Sequence, residues 1–543
     1  MLNQVLNRWL VIITTWLHLI GCSFCFEFND VNLHPEHWEY YFNYFPQLLE
    51  QCKQLPHCPF SSVTKTDRCW GYESDCTKEN AYSYPHCPGD HKGWVKTKQA
   101  QFETFYTQAD FGYVKEQRDE LTVLCEPSSV EDSSLECSKH LRFCRGRNIY
   151  MDLTSLMMRK EPIRYKMDVL KSGQIGGKCK FNESRLKEEA DHVSPLQSWA
   201  PELLQFTEMS TRPLGSTKCD VTVDKPTYIM KIDATVNMYH HFFLIYSPIP
   251  HCLPPAVNMY HHFCDFFNLY ASQHVNASHP TAFSTDAHIL IWESYSYASA
   301  FSDTFKAFTR HPIWDLKTFT GLTVCFKNVV FPLLPRMIFG LYYNTPLIWG
   351  CERSGLMESF SKHVLHRLQV RRFRRKNSKV RITLLSRDTQ YRNIMNEHEL
   401  LADLNREPHV KVKRVVYNRE MNFTKQLEKT HNTDFLIGMH GAGLSHLMFL
   451  PDWAVVFELY NCDDEHCYKD LARLRGIKYM TWEKKDKLEA QDEGHHPNGG
   501  AHAKFTNYKF NVPEFLRLVR LGVQYVQGHR KFQKYIATLH DEL

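Results

Sequence analysis

The 543-residue sequence lacks the features that mark several common classes of protein. Beyond residue 25 it has no apolar run long enough to span a bilayer, which argues against a membrane-spanning protein. Beyond the same point it has no Cys-x-x-Cys pair, which argues against a thiol oxidoreductase. No spacing of its cysteines and histidines supports a zinc site. We therefore expect a chain with no metal site and no internal membrane span.

The two ends of the chain resemble targeting signals. Arg8 precedes an apolar segment, Trp9–Ile20, and small residues follow, which predicts a secretory signal peptide over residues 1–22. The alternative interpretation is an uncleaved anchor. The last four residues are HDEL, an address read by the retrieval receptor of the endoplasmic reticulum: His540, Asp541, Glu542 and Leu543. Together these segments predict a protein of the endoplasmic reticulum lumen.

Cysteine usage agrees with an oxidising compartment. The chain has 18 cysteines, and eight of them lie between Cys52 and Cys144, which predicts disulfides in a Cys-rich N-terminal region, residues 26–160. Three acceptor sequences for N-glycosylation occur, at Asn182, Asn276 and Asn422.

After the Cys-rich region, short apolar strands alternate with helical stretches, which predicts an α/β fold with mostly parallel sheets. We expect one lobe over 161–370 and a second over 380–539, with a ligand cleft between them. The basic run 371–379 predicts an exposed linker, because a luminal address removes nucleic acid as a partner. Strands are predicted over 226–233, 286–293, 379–387, 410–417, the start of 433–451 and 453–460, and helices over 261–275, 396–406 and 514–529.

The second lobe contains "GMHGAGL", which follows an apolar strand and is predicted to open a helix. Gly441 and Gly443 let the backbone approach a ligand closely, and the helix start offers N–H groups to a phosphate. His440 stands in the turn, where it could donate to a diphosphate oxygen. The alternative interpretation is a tight turn whose glycines serve packing only.

Three further polar residues follow neighbouring strands of the same lobe. Arg387 and Arg392 carry the side chain best shaped for phosphate, and Glu458 offers a carboxylate to both hydroxyls of a ribose. Each could instead be a surface or ion-paired residue. Together with the glycine turn they predict a pocket for a nucleotide diphosphate.

The first lobe offers a candidate general base. His261 and Asp265 are four residues apart at the start of a predicted helix and share one face, and His262 is a second candidate. The alternative is a capped helix start with histidines in the core.

The motifs "NMYHHFCDFFNLY", "VRITLLSRDTQYR" and "HNTDFLIGMHGAGLSHLMFLPDWAVVFELYNC" resemble glycosyltransferase family 61, and the terminal "HDEL" resembles its branch that acts on EGF-like repeats. The resemblance implies a GT-B arrangement of two Rossmann-like lobes. It implies inverting transfer of N-acetylglucosamine from UDP-N-acetylglucosamine to Ser or Thr of secreted and membrane proteins, such as Notch-like receptors and matrix proteins. No cofactor is implied, although a divalent cation is not excluded by it.

The resemblance also assigns residues. The donor would lie against Arg387, Arg392, His440, Gly441, Gly443 and Glu458. His261 with Asp265 would be the base, and His262 the second candidate.

Two departures from the family pattern bear on activity. Arg310, His311 and Pro312 stand where the family carries an acidic tripeptide. In addition, "VNMYHHF" occurs twice, at 236–242 and 257–263, and removing residues 236–256 leaves the family arrangement without a seam. The first copy runs into a segment with four prolines, which cannot be helical, so the second copy is the candidate site.

The 21 additional residues have two explanations. They are either a short duplication or a retained intron read as protein, or else a genuine loop over the cleft. Two alternatives to the transferase follow: a catalytically impaired luminal binder of EGF-like domains, and a relative that uses a different acceptor.

Overall fold

The computed structural model describes residues 27–89, 95–156, 163–191, 194–215, 218–232, 259–294, 297–319, 321–334, 350–375, 377–418, 420–496 and 499–540. The predicted signal peptide 1–22, the first copy of the repeat and residues 541–543 lie outside the described residues. The second copy is described from Met259 onward.

The helices alternate with strands through most of the described chain. In chain order they are α1 Phe28–Val31, α2 Trp38–Tyr44, α3 Pro46–Gln54, α4 Lys98–Ala109, α5 Phe111–Asp119, α6 Glu183–Glu189, α7 Ala200–Leu203, α8 Met259–Val275, α9 Gly355–Arg367, α10 Glu397–Leu404, α11 Phe423–His431, α12 Cys467–Arg475, α13 Val512–Gly528 and α14 Arg530–His540. The fold is therefore mixed α/β, as predicted.

The larger sheet combines antiparallel and parallel strands. Its strands are β1 Thr122–Glu126, β2 Ser134–Cys137, β3 Cys144–Asp152, β4 Ile175–Gly177, β5 Lys180–Phe181, β6 Phe206–Glu208, β7 Val221–Val223, β8 Thr227–Met230, β9 His288–Ile291, β10 Trp314–Asp315 and β11 Thr323–Phe331. β8 pairs in parallel with β9 and β11, but β11 pairs antiparallel with β3. The prediction of a mostly parallel sheet was thus wrong for the half built from β1, β2, β3 and β5. The first three of these strands come from the Cys-rich region and β5 lies just after it, and no strand was predicted in either place.

The smaller sheet is wholly parallel. Its strands are β12 Val380–Ser386, β13 Val410–Val416, β14 Phe435–Gly438, β15 Val455–Glu458 and β16 Lys478–Thr481, and a separate two-stranded ribbon follows, β17 Leu488–Ala490 and β18 Tyr508–Phe510. The order β13-β12-β14-β15-β16 reverses direction between β12 and β14, which is where ligands bind in open α/β sheets. The predicted strands and helices of this region are confirmed to within a few residues.

One apolar core joins the two sheets. Phe267 of α8 meets Phe360 of α9 edge-on, with ring centroids 5.4 Å apart, and Phe360 lies 6.4 Å from Phe449 of the second lobe. These rings are buried and belong to the same cluster. Helix α8 therefore packs directly against the segment that follows the glycine turn.

Six disulfides are present in the described chain: Cys52–Cys58, Cys69–Cys76, Cys87–Cys351, Cys125–Cys179, Cys137–Cys144 and Cys219–Cys325. This number is typical of proteins of the secretory pathway. None of the described helices is both long enough and apolar enough to cross a membrane.

The prediction of an exposed basic linker was wrong for two arginines. Arg375 is buried and pairs with Asp434, and the Arg372 guanidinium lies 4.5 Å from the centre of the Trp453 ring. Both arginines pack against α14, with Tyr535 under each of them. The sequence predicts an exposed segment here because the residues that pair with its arginines lie 59 or more residues away in the chain.

Candidate functional site

A cleft of about 460 Å³ lies at the carboxyl ends of β12, β13 and β14. Asp388 follows β12, Tyr417 follows β13, and Gly443 follows β14. Met259, the first residue of α8, and Phe301 face them from the first lobe. The glycine turn and the start of the histidine helix, which are far apart in sequence, therefore meet at one cleft.

The glycine turn has the extended backbone and close approach that only glycine allows. Gly441 has φ +151° and ψ +165°, a conformation that other residues rarely adopt. A Cβ at this position would overlap Nη1 of Arg387. The helix predicted after the turn was wrong in type: Ala442–Phe449 forms 3₁₀ turns, because the chain is tightened against α8 and α9.

Arg387 and Arg392 lie beside each other against this turn. Arg387 Nε donates to Thr389 Oγ1 at 3.1 Å, and Arg392 Nη1 donates to the His440 carbonyl at 3.2 Å. Neither guanidinium forms an ion pair with a described residue, and the buried Nε of Arg392 has no hydrogen-bond partner among them. Burial, together with the charge of Arg392, lowers the pKa of Arg387 to about 10. Two cations held together without a counter-ion form a strong site for an anion.

His440 is buried, and its Nδ1 lies 2.8 Å from Oε1 of Glu458. The other carboxylate oxygen of Glu458 accepts from the Tyr479 hydroxyl at 2.5 Å, and Glu458 is fully buried. Each carboxylate oxygen of Glu458 thus has a protein partner, and the role of Glu458 toward ribose hydroxyls stays a prediction. Glu458 holds the ring of His440, whose Nε2 lies 3.8 Å from Asp464.

The three candidates for the base differ in their surroundings. His262 is buried, and its Nε2 lies 2.6 Å from the Tyr297 hydroxyl. Asp265 is also buried, whereas His261 is partly exposed. Burial, offset by bonds to serines and reinforced by the charge of Asp265, raises the pKa of Tyr297 well above its ordinary value, so the tyrosine stays a neutral partner for His262.

Sequence reasoning missed several residues that line the same cleft. His446 contacts the Gly443 carbonyl through Nδ1 at 2.9 Å and Gln426 Oε1 through Nε2 at 3.1 Å, and burial lowers its pKa to about 4. Tyr417 stacks near His446, with ring centroids 4.4 Å apart. Tyr417 ends a predicted strand, so its position could have indicated a role. His446 lies inside a predicted helical stretch and Gln426 in a segment without a predicted element, so neither gave a signal.

Arg310 and His311, which replace the acidic tripeptide of the family pattern, belong to a separate ionic cluster. His311 Nε2 lies 2.6 Å from Asp286, and Arg310 Nη2 lies 3.1 Å from the same carboxylate. Arg310 also pairs with Asp30. These residues therefore join the N-terminal segment to the start of β9.

The three predicted glycosylation acceptors have different surroundings. Asn182 is exposed and caps α6 through its side-chain oxygen. Asn276 is half-buried at the end of α8. Asn422 caps α11, and its Nδ2 donates to Asp303 at 2.7 Å, so a glycan there would replace that bond. A single group among the described residues, Cys69, Glu73 and Cys76, has metal-ligand spacing, but its cysteines are bonded to each other.

Comparison with known proteins identifies the family. The family model described as Glycosyltransferase 61 matches residues 239–457. The chain is 54% identical over 508 residues to the "EGF domain-specific O-linked N-acetylglucosamine transferase" of Drosophila melanogaster, which covers 93% of each chain. The chain belongs to glycosyltransferase family 61. Relatives with the same name in Bos taurus and Xenopus laevis are 46% and 47% identical, covering 96% of this chain and 95% of each relative.

Membership of family 61 accounts for the arrangement of the cleft. A glycosyltransferase must hold the leaving group of its donor and an acceptor hydroxyl on opposite sides of one carbon. In this chain Ala442 and Gly443 of the glycine turn line the cleft opposite Met259 of α8, and the arginines lie against Gly441 of the same turn.

Proposed function

We propose that the protein transfers N-acetylglucosamine from UDP-N-acetylglucosamine to Ser or Thr hydroxyls of folded EGF-like repeats. The observation that carries this proposal is the 54% identity over nearly the full length of a transferase with that donor sugar and acceptor in its name. The unpaired Arg387 and Arg392 support it, because the diphosphate of the donor needs cations where they lie.

In the proposed reaction the acceptor oxygen attacks the anomeric carbon of the sugar as the bond from that carbon to the UDP oxygen breaks. The configuration at the carbon inverts, and the electron pair of the broken bond remains on UDP. Arg387, Arg392 and the backbone N–H groups of the Gly441–Gly443 turn stabilise the developing negative charge. His440, held by Glu458, donates to the diphosphate.

The hydroxyl proton passes to His261, which we propose as the base, with Asp265 as the charge that orients it. Its partial exposure supports this role over His262, which is buried against Tyr297. We also propose that the lobes 161–370 and 380–539 form a GT-B pair that closes over the donor.

We expect no metal requirement, because the arginine pair supplies the positive charge at the diphosphate. The activity should survive chelation by EDTA in a buffer without added divalent ions. Loss of activity on chelation, restored by Mg²⁺ or Mn²⁺, would contradict this expectation.

The proposed compartment is the endoplasmic reticulum lumen, with proteins that carry EGF-like repeats as partners. A second candidate is an impaired binder of such repeats. It is favoured by the 21 additional residues that precede α8, since they adjoin the proposed base. Binding of a repeat without turnover of the donor would distinguish it.

The decisive test is the intact mass of a folded EGF repeat after incubation with UDP-N-acetylglucosamine and the luminal chain. A variant lacking residues 236–256 is assayed beside the unaltered chain. A Glu458→Gln variant, which removes the carboxylate that holds His440, is assayed with them. A gain of one N-acetylhexosamine with the unaltered chain supports the transferase and makes the insertion a tolerated loop. A gain with the shortened variant alone means that the insertion blocks the site.

No gain from either form would refute the transferase for this acceptor. A dissociation constant for the repeat, measured by calorimetry with both forms, would then decide whether the impaired binder replaces it.

A further inference from the structure

A second concave surface lies on the far side of α11 from the cleft. This basic groove has a volume of about 480 Å³, and seven of its lining residues are cations: Arg374, Arg375, Arg381, Lys411, Lys413, Lys425 and Lys429. Of these, Arg375 is paired with Asp434. Glu428 is the one acidic residue that lines it among the described positions. Phe373, at its rim, is 53% exposed.

The cations of the basic groove face one another. Arg381 of β12 and Lys411 of β13 are register partners on adjacent strands, so their charges lie side by side. On the opposite wall Lys425 and Lys429 are four residues apart on α11. Burial, followed by the charge of Lys429, lowers the pKa of Lys413. None of the four lysines forms an ion pair with a residue that the structure describes.

Like charges at these spacings destabilise a sheet and a helix, so a purely structural account needs a compensating role. Lysines do protect exposed edge strands from pairing, and β13 is an edge of its sheet. That role accounts for Lys411 and Lys413. Arg381, on the inner strand β12, donates to Asn432 Oδ1 at 3.2 Å and to the Phe373 carbonyl at 3.3 Å, which gives it a structural role. Neither explanation accounts for the two lysines on α11.

The basic groove and the cleft lie on either side of α11 and share two elements, α11 and β13. Lys425 lines the groove, and the next residue, Gln426, lines the cleft. Val415 at the groove precedes Tyr417 at the cleft by two residues. A protein whose hydroxyl lies in the cleft would therefore have a neighbouring part of its surface over the groove.

We propose that the basic groove binds an acidic segment of the acceptor polypeptide next to the modified residue. This proposal rests on the proposed function for the identity of the acceptor, but the charge complementarity does not depend on it. Strand residues Lys411 to Val415 span about 13 Å, which matches an extended segment of about four residues. The exposed ring of Phe373 offers an apolar contact at one end.

The test uses the full luminal chain and a fluorescein-labelled hexaglutamate peptide, with binding followed by anisotropy. The groove variant is Lys413→Glu with Lys429→Glu. The matched control is Lys96→Glu with Lys534→Glu, which changes the net charge equally at exposed lysines outside the groove. We expect the groove variant to weaken peptide binding by ~10-fold or more and the control by less than ~2-fold at low ionic strength.

Transfer kinetics give an independent readout. For an EGF repeat with acidic residues beside the acceptor Ser or Thr, the groove variant should raise the acceptor KM and leave kcat and the KM for UDP-N-acetylglucosamine unchanged. Changing those acidic residues to Asn and Gln should abolish the difference between the variants. If neither the unaltered chain nor the variant lacking residues 236–256 transfers sugar, the proposed function fails, while the peptide measurement still tests the groove.

Three results would overturn the proposal. The groove variant could bind the peptide as well as the unaltered chain, or the control could lose binding equally, which would show an effect of net charge alone. Displacement of the peptide by a sulfated oligosaccharide of equal charge at a lower concentration would make the groove a polysaccharide site instead.

Discussion

At the scale of single residues, the proposed donor site depends on a glycine and two arginines that pack against one another. The missing side chain at Gly441 leaves room for the Arg387 guanidinium. Arg392 is itself held in the left-handed region, at φ +62°, where its backbone N–H donates to the Thr506 carbonyl at 2.8 Å. The second lobe thus fixes both cations from opposite directions before any donor arrives.

We predict that Gly441→Ala lowers kcat/KM by about 10- to 100-fold, because the added Cβ displaces Arg387 from the diphosphate. The same change adds backbone strain of about 1–3 kcal/mol, since the glycine conformation is hardly accessible to alanine. The measurement is donor-dependent kinetics beside a thermal midpoint. Gly528→Ala, which meets no neighbour within 4 Å, is the matched control. Unchanged donor kinetics in the Gly441 variant would disprove the role of the turn.

We expect His261 to act in the reaction and the adjacent His262 to stabilise the structure. We predict that His261→Asn lowers kcat by about 10²–10⁴-fold with little change in stability. His262→Asn should instead lower the free energy of unfolding by about 1–3 kcal/mol, because it removes the histidine that bonds to the half-buried Tyr297 hydroxyl. Parallel kinetics and urea unfolding of both variants check this. The opposite distribution of effects would assign the base to His262.

Sequence reasoning predicted that the proposed donor-side residues lie close together, as they do, but it did not predict the partners of Glu458. Arg387, Arg392, His440 and Gly441 meet because parallel strands end at the same edge of a sheet. The partner of Glu458 is Tyr479, on the next strand, and a period-two strand pattern does not reveal which side chains are paired across it. The site residues themselves remain predictions until the kinetic tests are made.

At the scale of elements, the segment 371–375 acts as a clamp between the second sheet and α14. Asp434 accepts from the Arg381 backbone N–H at 2.8 Å and the Trp453 indole at 2.9 Å, and it pairs with Arg375. The Arg375 guanidinium lies 5.1 Å from the centre of the Phe532 ring. Removing this arginine would leave a buried carboxylate uncompensated.

We predict that Arg375→Met destabilises the protein by about 3–5 kcal/mol, the usual consequence of breaking a buried ion pair from one side. Arg530→Met, at an exposed arginine on α14, should change stability by less than about 0.5 kcal/mol. Urea unfolding of both variants, followed by tryptophan fluorescence, measures the difference. Equal stability of the two variants would show that the clamp is not needed.

The elements of the second lobe could be predicted well because each is local: β12, β14 and β15 are short apolar runs bounded by polar turns. The 3₁₀ form of Ala442–Phe449 could not be predicted in this way. Its apolar sequence fits a buried helix, and its tightening results from contacts with α8 and α9, which end 75 or more residues earlier in the chain.

At the scale of the whole molecule, the ionic cluster around Asp286 ties the N-terminal segment to the larger sheet. Partial burial alone would raise the pKa of Asp286, but bonds from Lys225 and His311 and the charge of Arg310 lower it to about 2. Because the pKa of the carboxylate is lower in the folded state, its contribution to stability is present above about pH 4 and is lost as the pH falls toward about 2.

We predict that Asp286→Asn lowers stability at pH 7 and pH 5 by a similar amount, and that the difference from the unaltered protein shrinks between about pH 4 and about pH 2. Thermal midpoints over this range provide the measurement. Asp224→Asn, at an exposed carboxylate paired with Lys327, serves as the control and should show no such convergence. A difference that stays constant down to about pH 2 would contradict the assignment.

The larger sheet was the part of the fold least accessible from sequence. β3 and β11 match over eight register pairs, yet 170 residues separate the end of one strand from the start of the other. Neither strand carries a local signal that identifies so distant a partner, and the intervening sequence reads as an independent region. The Cys-rich segment was therefore expected to stand apart from a sheet that it in fact completes.

The pairing of β3 with β11 also delays completion of the larger sheet during biosynthesis. After β3 has been made, nearly 180 further residues must follow before β11 is complete, which takes on the order of 10 to 40 s at ordinary rates of translation. Throughout that interval β3 lacks β11 as a pairing partner. Cys351, the disulfide partner of Cys87, is synthesised later still. The first third of the nascent chain therefore stays open, with apolar surface and reactive thiols available to luminal chaperones and oxidoreductases, until most of the protein has been synthesised.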